Sequence, residues 1–340
     1  MKTKLLAVLA TLGMVASASA VKVNNNLSIN GFIDGSYNLT DTDGADTQSL
    51  GLDEVELNFN LNVGNVSGLI AIDNNNPSTH SHTVSFTDLN GTGASVNKSV
   101  TSSTVNGTDL NIEQAHFTYN INDAVSLTFG RYGSALGFER EDPAGLYTFS
   151  RAYSGNFNLG NIDAGAVDGI TLSYAGDSYS IAASLEETAG QNIEVNDLNL
   201  ELAFTYTGIA GVNIGGGYFF DNAANGANET DVLNVHVSRQ FGKLLLAGEY
   251  IEASTSSTTA AQNVDNDAYL LLADYDVNDK LGVAVRFSNN EQGALGDYER
   301  FTIAPNYSLT DSLGAIIEYS DVEDDNAKSE EYSVELTYTF

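Results

Sequence analysis

A two-residue alternation of apolar and polar side chains, sustained over about ten residues at a time, is the feature that most constrains this chain. Leu27, Ile29, Gly31, Ile33, Gly35, Tyr37 and Leu39 interleave with Ser28, Asn30, Phe32, Asp34, Ser36 and Asn38. Val55, Leu57, Phe59, Leu61 and Val63 alternate with Glu54, Glu56, Asn58, Asn60 and Asn62 in the same way. Leu198, Leu200, Leu202, Phe204 and Tyr206 alternate with Asn199, Glu201, Ala203 and Thr205. Each such segment is a strand with one apolar and one polar face. Past the first twenty residues, no apolar run is long enough for a spanning helix.

Sixteen such segments can be read, centred near Ile33, Phe59, Ile70, Phe117, Leu127, Leu172, Ile181, Leu202, Ile214, Val235, Leu246, Leu271, Val283, Ile303, Ala315 and Leu336. Their connections alternate in length. Short ones fall at Gly64-Asn65, Asn122-Asp123, Gly176-Asp177, Gly208 to Gly211, Gln240 to Gly242, Asn278-Asp279 and Thr310-Asp311. Long polar ones are expected near 40–49, 74–108, 132–168, 187–196, 221–229, 253–266, 289–296 and 320–330. Short turns at one end and long loops at the other predict an all-β, closed, antiparallel barrel crossing an outer membrane, with both termini in the periplasm. Its polar face carries Asn, Thr, Ser and Glu, as a water-filled lumen requires. Tyr119, Tyr174, Tyr206, Tyr275, Tyr307 and Tyr338 end strands running towards the short turns. Tyr37, Tyr250, Phe287 and Tyr319 end strands running towards the long loops, giving two interfacial aromatic rings.

Composition narrows the function classes. Asp and Glu number 45 against 13 Lys and Arg, a net charge of −32, which excludes a general nucleic-acid binder. Hydrophobic residues at 42% argue against disorder, and the lack of Cys removes disulfides and thiolate metal sites. Residues 1–20 read as a cleaved signal peptide: Lys2 and Lys4, an apolar stretch from Leu5 to Val15, then Ala18-Ser19-Ala20. The barrel domain is then 21–340, and loss of Lys2 and Lys4 takes the charge from −32 to −34.

The chain finishes with apolar residues at every second position, Tyr332, Val334, Leu336, Tyr338 and the terminal Phe340. This ending closely resembles the signal by which the barrel assembly machinery recognises bacterial outer-membrane proteins. The chain as a whole resembles Gram-negative outer-membrane porins, and most closely the β-barrel porin family of OmpL-like proteins. Ile29-Asn30-Gly31-Phe32-Ile33-Asp34-Gly35 carries that resemblance, as does Glu113-Gln114-Ala115 leading into Phe129-Gly130-Arg131-Tyr132, Leu136-Gly137-Phe138-Glu139 and Tyr147 to Tyr153. It implies passive diffusion of small hydrophilic solutes and ions, an outer-membrane lipid surround, no cofactor, no catalysis, and a homotrimer. It also implies a third long loop folded into the pore.

That loop holds Glu139, Arg140, Glu141, Asp142 and Arg151, with Arg131 at its start, while Arg286 and Arg300 sit on polar faces of later strands. Basic wall residues facing acidic loop residues would set a transverse field across a constriction. Glu54, Glu56, Glu113, Glu201, Glu249, Asp274, Glu318 and Glu335, all at lumen parity, outnumber the arginines, so a mild cation preference is expected. A non-conducting adhesive barrel is the alternative. A barrel enzyme is a weaker one, because His116 and His236 match the lumen face rather than the lipid face.

Metal readings are weak. His80-Ser81-His82 supplies too few zinc ligands. Asp41 to Asp46 resembles the start of a calcium loop but places Leu52 where position twelve needs Glu. Weak divalent binding through Asp41, Asp43 and the Asp321 to Asp325 acids is the most this pattern supports. Gly215-Gly216-Gly217 lies inside a strand and marks a bend or a close strand contact rather than a phosphate loop.

Overall fold

The computed structural model describes residues 20–42, 45–74, 79–80, 104–105, 110–139, 143–153, 166–188, 198–222, 229–256, 264–291, 296–325 and 327–340. Residues 1–19, within the stretch expected to be a signal peptide, lie outside them, as do Arg140, Glu141, Asp142, Asp43 and His82. Sixteen long strands form the wall. The first eight are β1 Leu27–Thr42, β2 Ala45–Val63, β3 Val66–Asp73, β4 Asn111–Asn120, β5 Val125–Gly133, β6 Ala166–Ala175, β7 Tyr179–Thr188 and β8 Asn199–Tyr206. The rest are β9 Val212–Phe220, β10 Glu229–Phe241, β11 Leu244–Ser256, β12 Val264–Asp276, β13 Leu281–Glu291, β14 Asp297–Ser308, β15 Leu313–Asp324 and β16 Lys328–Thr339. Two-residue pieces Val21–Lys22, Thr79–His80 and Thr104–Val105 add minor pairings.

Each strand pairs antiparallel with the next. β16 pairs back onto β1, with Tyr338 opposite Ile33 and Val334 opposite Tyr37, so no edge is left for lipid to face. Phe340 completes the seam by exchanging two backbone hydrogen bonds with Gly31, both 3.1 Å. Among the described residues no helix is long and apolar enough to cross a membrane; the helical element present is the single 3-10 turn Pro143–Gly145.

Turn chemistry explains the short end. Asn122 Oδ1 accepts from the N–H groups of Ala124 and Val125 at 2.9 and 3.0 Å, and Asn278 Oδ1 from those of Lys280 and Leu281 at 2.9 and 3.2 Å. A side-chain acceptor three residues before the strand holds such a turn shut. Gly64 and Gly242 take φ of +64° and +62°, the left-handed region a tight hairpin needs. Tyr119, Tyr174, Tyr275, Tyr307 and Tyr338 all face outwards above this end. Towards the other rim Tyr269 and Phe287 lie 6.0 Å apart, and Tyr319 and Tyr332 5.2 Å.

Three long loops are shorter than their polar sequences predict. β1 runs to Thr42 and β2 restarts at Ala45, with Asp41 paired to Asp46 as ordinary ladder. An extended ladder is not a twelve-residue calcium loop, and among the described residues no acidic or histidine group is arranged to hold a metal ion. β15 and β16 likewise absorb most of 320–330, and β13 takes residues 289–291 of 289–296. Polarity marks where the membrane ends, not where backbone pairing ends, because water tolerates an extended strand as readily as a loop.

Candidate functional site

After Gly133 the chain leaves β5, turns into the barrel and lies against the inner wall of β8 to β15. A segment crossing a lumen carries backbone N–H groups that need acceptors. Wall carboxylates supply them. Glu201 on β8 accepts from Ala135 N at 2.8 Å and from the Ser134 hydroxyl. Glu249 on β11 accepts from Phe138 N at 2.6 Å, Asn234 Nδ2 at 2.7 Å and the Tyr153 hydroxyl at 3.1 Å. Glu318 on β15 accepts from Ser150 N at 3.1 Å, and Asn234 Oδ1 from Gly137 N at 3.2 Å. Burial, with Glu249 and Glu139 alongside, pushes the Tyr153 phenol well above its ordinary value, so it stays a donor.

The central tie is Arg286 on β13. Its Nη1 donates to both Glu139 carboxylate oxygens at 2.8 and 2.9 Å, and to Thr148 Oγ1 and Ser150 O, each at 2.7 Å. Its Nη2 donates to Ser150 Oγ and Arg151 O, each at 2.9 Å. Glu139 also accepts from Ala152 N at 2.8 Å, and Arg151 Nη1 donates to Glu139 O at 3.1 Å. The Arg286 side chain is 0% exposed and that of Glu139 5%. A buried pair of this kind is tolerated because nearly every charged-group partner is satisfied.

Apolar contacts seat the loop between these polar ties. Leu136 packs with Phe219, Val232, Ile251, Ala253 and Ala268, all from the inner wall. Ala152, Phe138, Tyr147 and Tyr153 pack on Ala247, Leu270, Leu272, Ala284 and Ala304. The glycine triplet in β9 makes the seat possible. A Cβ on Gly217 would run into Leu202 O and Leu136 Cδ2, one on Gly215 into the His236 ring, and Gly216 has φ +139°. These inward-facing Ala, Leu and Gly residues are part of the site, and sequence reading missed them. Their signal is an apolar residue at lumen parity, concentrated in β9 to β14.

Three of the sequence-selected residues therefore meet: Glu139, Arg151 and Arg286. Arg300, on β14, sits elsewhere on the inner wall, with Nε donating to the Tyr298 hydroxyl at 2.7 Å and Nη1 paired to Glu331 at 3.0 Å. Arg131 is not in the lumen. It shares the outward face with Phe129 and is paired to Asp168 at 2.8 Å, while Tyr132 points inwards. Nearness to the loop along the chain did not translate into facing it, because strand parity turns position 131 outwards. The expected transverse field needs correction as well. Arg286 does not oppose Glu139 across water; the two touch and cancel.

These features define a transmembrane β-barrel of porin type with an inward-folded third long loop. The chain belongs to the family described as beta-barrel porin-2, OmpL-like, whose model matches residues 26–337. No curated protein matches it in sequence. Solved structures share the fold: OmpF of Salmonella typhi in complex with daunomycin (TM-score 0.66, 13% identity) covers 95% of this chain and 100% of its own. The anion-selective porin from Comamonas acidovorans (TM-score 0.64, 11% identity) covers 92% and 99%. OmpT of Vibrio cholerae (TM-score 0.62, 13% identity) covers 95% and 100%.

Proposed function

We propose that the chain forms a water-filled outer-membrane channel for passive diffusion of small hydrophilic solutes and ions, acting by diffusion and not by catalysis. The observation that carries this reading is a closed barrel with carboxylates and hydroxyls on its inner wall, against one side of which described residues of its own loop are tied. Its selectivity is mildly cationic. Arg286 and Arg300 are each paired with a carboxylate and Arg131 faces outwards, so these three contribute little to the lumen potential, which leaves Arg151, exposed and donating to a backbone carbonyl, as the described loop arginine that acts on it. Asp34, Glu54, Glu56 and Glu335 cluster on the inner wall of β1, β2 and β16. Glu201, Glu249 and Glu318 are engaged by the loop, so the preference rests on fewer carboxylates than residue parity alone would count. The fold itself is compatible with either sign of selectivity.

Planar-bilayer recording tests this. Reversal potentials in a KCl gradient should show cation preference that weakens as the Debye length shrinks from ~10 Å at 0.1 M to ~3 Å at 1 M. Anion preference at low salt would overturn the selectivity, and no conductance would overturn the channel. We further propose that the working form is a homotrimer, a reading supported by a trimer form of the structurally similar OmpT of Vibrio cholerae. The C-terminal residues Tyr332, Val334, Leu336, Tyr338 and Phe340 serve recognition by the assembly machinery. Deleting Phe340 should lower the amount of heat-modifiable, membrane-inserted protein, and any pores that do assemble should conduct normally.

A further inference from the structure

We infer that solute moves along the inner faces of β4 to β7, and that this wall is a subsite for small uncharged hydroxylated solutes of the saccharide and polyol class. The inference rests on the channel reading above. The loop's ties run to β8, β10, β11, β13 and β15. A cavity of about 390 Å³ lies against the inner faces of β4 to β7, bordered by Ser134 and Ala135 as the chain leaves β5 and by their anchor Glu201 on β8. That size is at the lower end of small-molecule sites, roughly 300–1,000 Å³.

Hydroxyls recur in its lining. Thr118 and Thr128 hydroxyls meet across β4 and β5 at 2.8 Å, and those of Thr171 and Ser184 across β6 and β7 at 2.8 Å. When two hydroxyls bond each other, the pair still keeps an O–H to donate and lone pairs to accept. A sugar hydroxyl needs both functions, and exchanging water for such a pair is close to neutral in free energy. The described lining contains no Lys or Arg, while Glu113 and Glu201 border it. An anionic solute would shed hydration there without gaining a cation, which is costly. The wall therefore offers a neutral polyol replacement hydrogen bonds, whereas an anion, though it too can accept from the hydroxyls, meets two carboxylates and no Lys or Arg in the described lining.

Full-length protein reconstituted in liposomes tests the track, with glucose and gluconate as probes of near-equal size and KCl conductance as reference. Wild type should pass glucose faster than gluconate. The double variants Thr118→Val with Thr128→Val, and Thr171→Val with Ser184→Ala, should lower the glucose rate relative to KCl conductance by roughly fivefold, the loss expected for one hydrogen bond. Thr118→Ser, which keeps the hydroxyl, should behave as wild type. Thr302→Val should leave the glucose rate unchanged, since Thr302 pairs with Ser320 on the loop-covered side at 2.9 Å. Heat-modifiable mobility confirms that each variant is assembled. Equal glucose-to-KCl ratios in all assembled variants, or the same loss in Thr302→Val, would overturn the track while leaving the channel intact. Absence of KCl conductance in wild type would overturn the channel instead.

Discussion

The two halves of the inner wall do different work. From β8 to β15 it behaves like the interior of a soluble protein: Leu270, Leu272, Ile251, Ala253, Ala268, Ala284 and Ala304 are buried under the loop, and the polar groups among them hold it. From β16 round through β1 to β7 it carries carboxylates and hydroxyls instead, among them Asp34, Glu56, Glu335, Thr118, Thr128 and Ser184. One barrel thus combines a packed apolar seat and a polar inner wall. A lumen that must hold its own constriction cannot be uniformly polar, because ordering a loop of this length needs apolar burial to offset the entropy lost.

Removing the central tie should expose this division most sharply. Arg286→Ala leaves Glu139 buried without its partner, a loss of about 3–5 kcal/mol for a pair of this type. Single-channel conductance should rise and become noisy, and limited proteolysis should cut the loop between residues 134 and 153. An uncut loop with unchanged conductance would show that apolar packing alone maintains the partition. Gly217→Ala should cost about 1–3 kcal/mol through overpacking against Leu202 O and Leu136, read as a lower temperature for loss of the folded gel band. Tyr153→Phe should cost about 1–2 kcal/mol by removing the hydrogen bond to Glu249, leaving the fold intact but loosening the loop. Arg131→Ala should change least. Its pair with Asp168 is about one-third exposed, worth roughly 0.2–1 kcal/mol, and the reversal potential should not move. A shifted reversal potential would mean that this arginine reaches the solute path and that the two-wall division is drawn in the wrong place.

All sixteen strand centres read from alternation fall inside observed strands, and six of the seven tight turns fall between them, while at Gln240 to Gly242 the first two residues still belong to β10. The lumen-facing parity of Glu201, Glu249, Glu318, Glu335, His236 and Arg286 was legible in the same way. Loop heights were less so, because residues 40–49 and 320–330 are polar and yet paired. The site was partly legible. Glu139, Arg151 and Arg286 stood out as charges, whereas Leu136, Gly217, Ala253 and Ala304 are unremarkable one at a time.

The physical reason is range. Backbone pleating makes side chains alternate every two residues, so a strand's two faces, and with enough strands the closed wall, are written locally in the sequence. Which wall receives the loop is decided by contacts between distant positions: Arg286 and Glu139 are 147 residues apart, and Glu318 and Ser150 168 apart. No periodicity reports such a pairing. Only the assembled barrel, by bringing β8 to β15 against one segment of chain, made an apolar seat out of scattered small residues and turned wall carboxylates from pore charges into anchors.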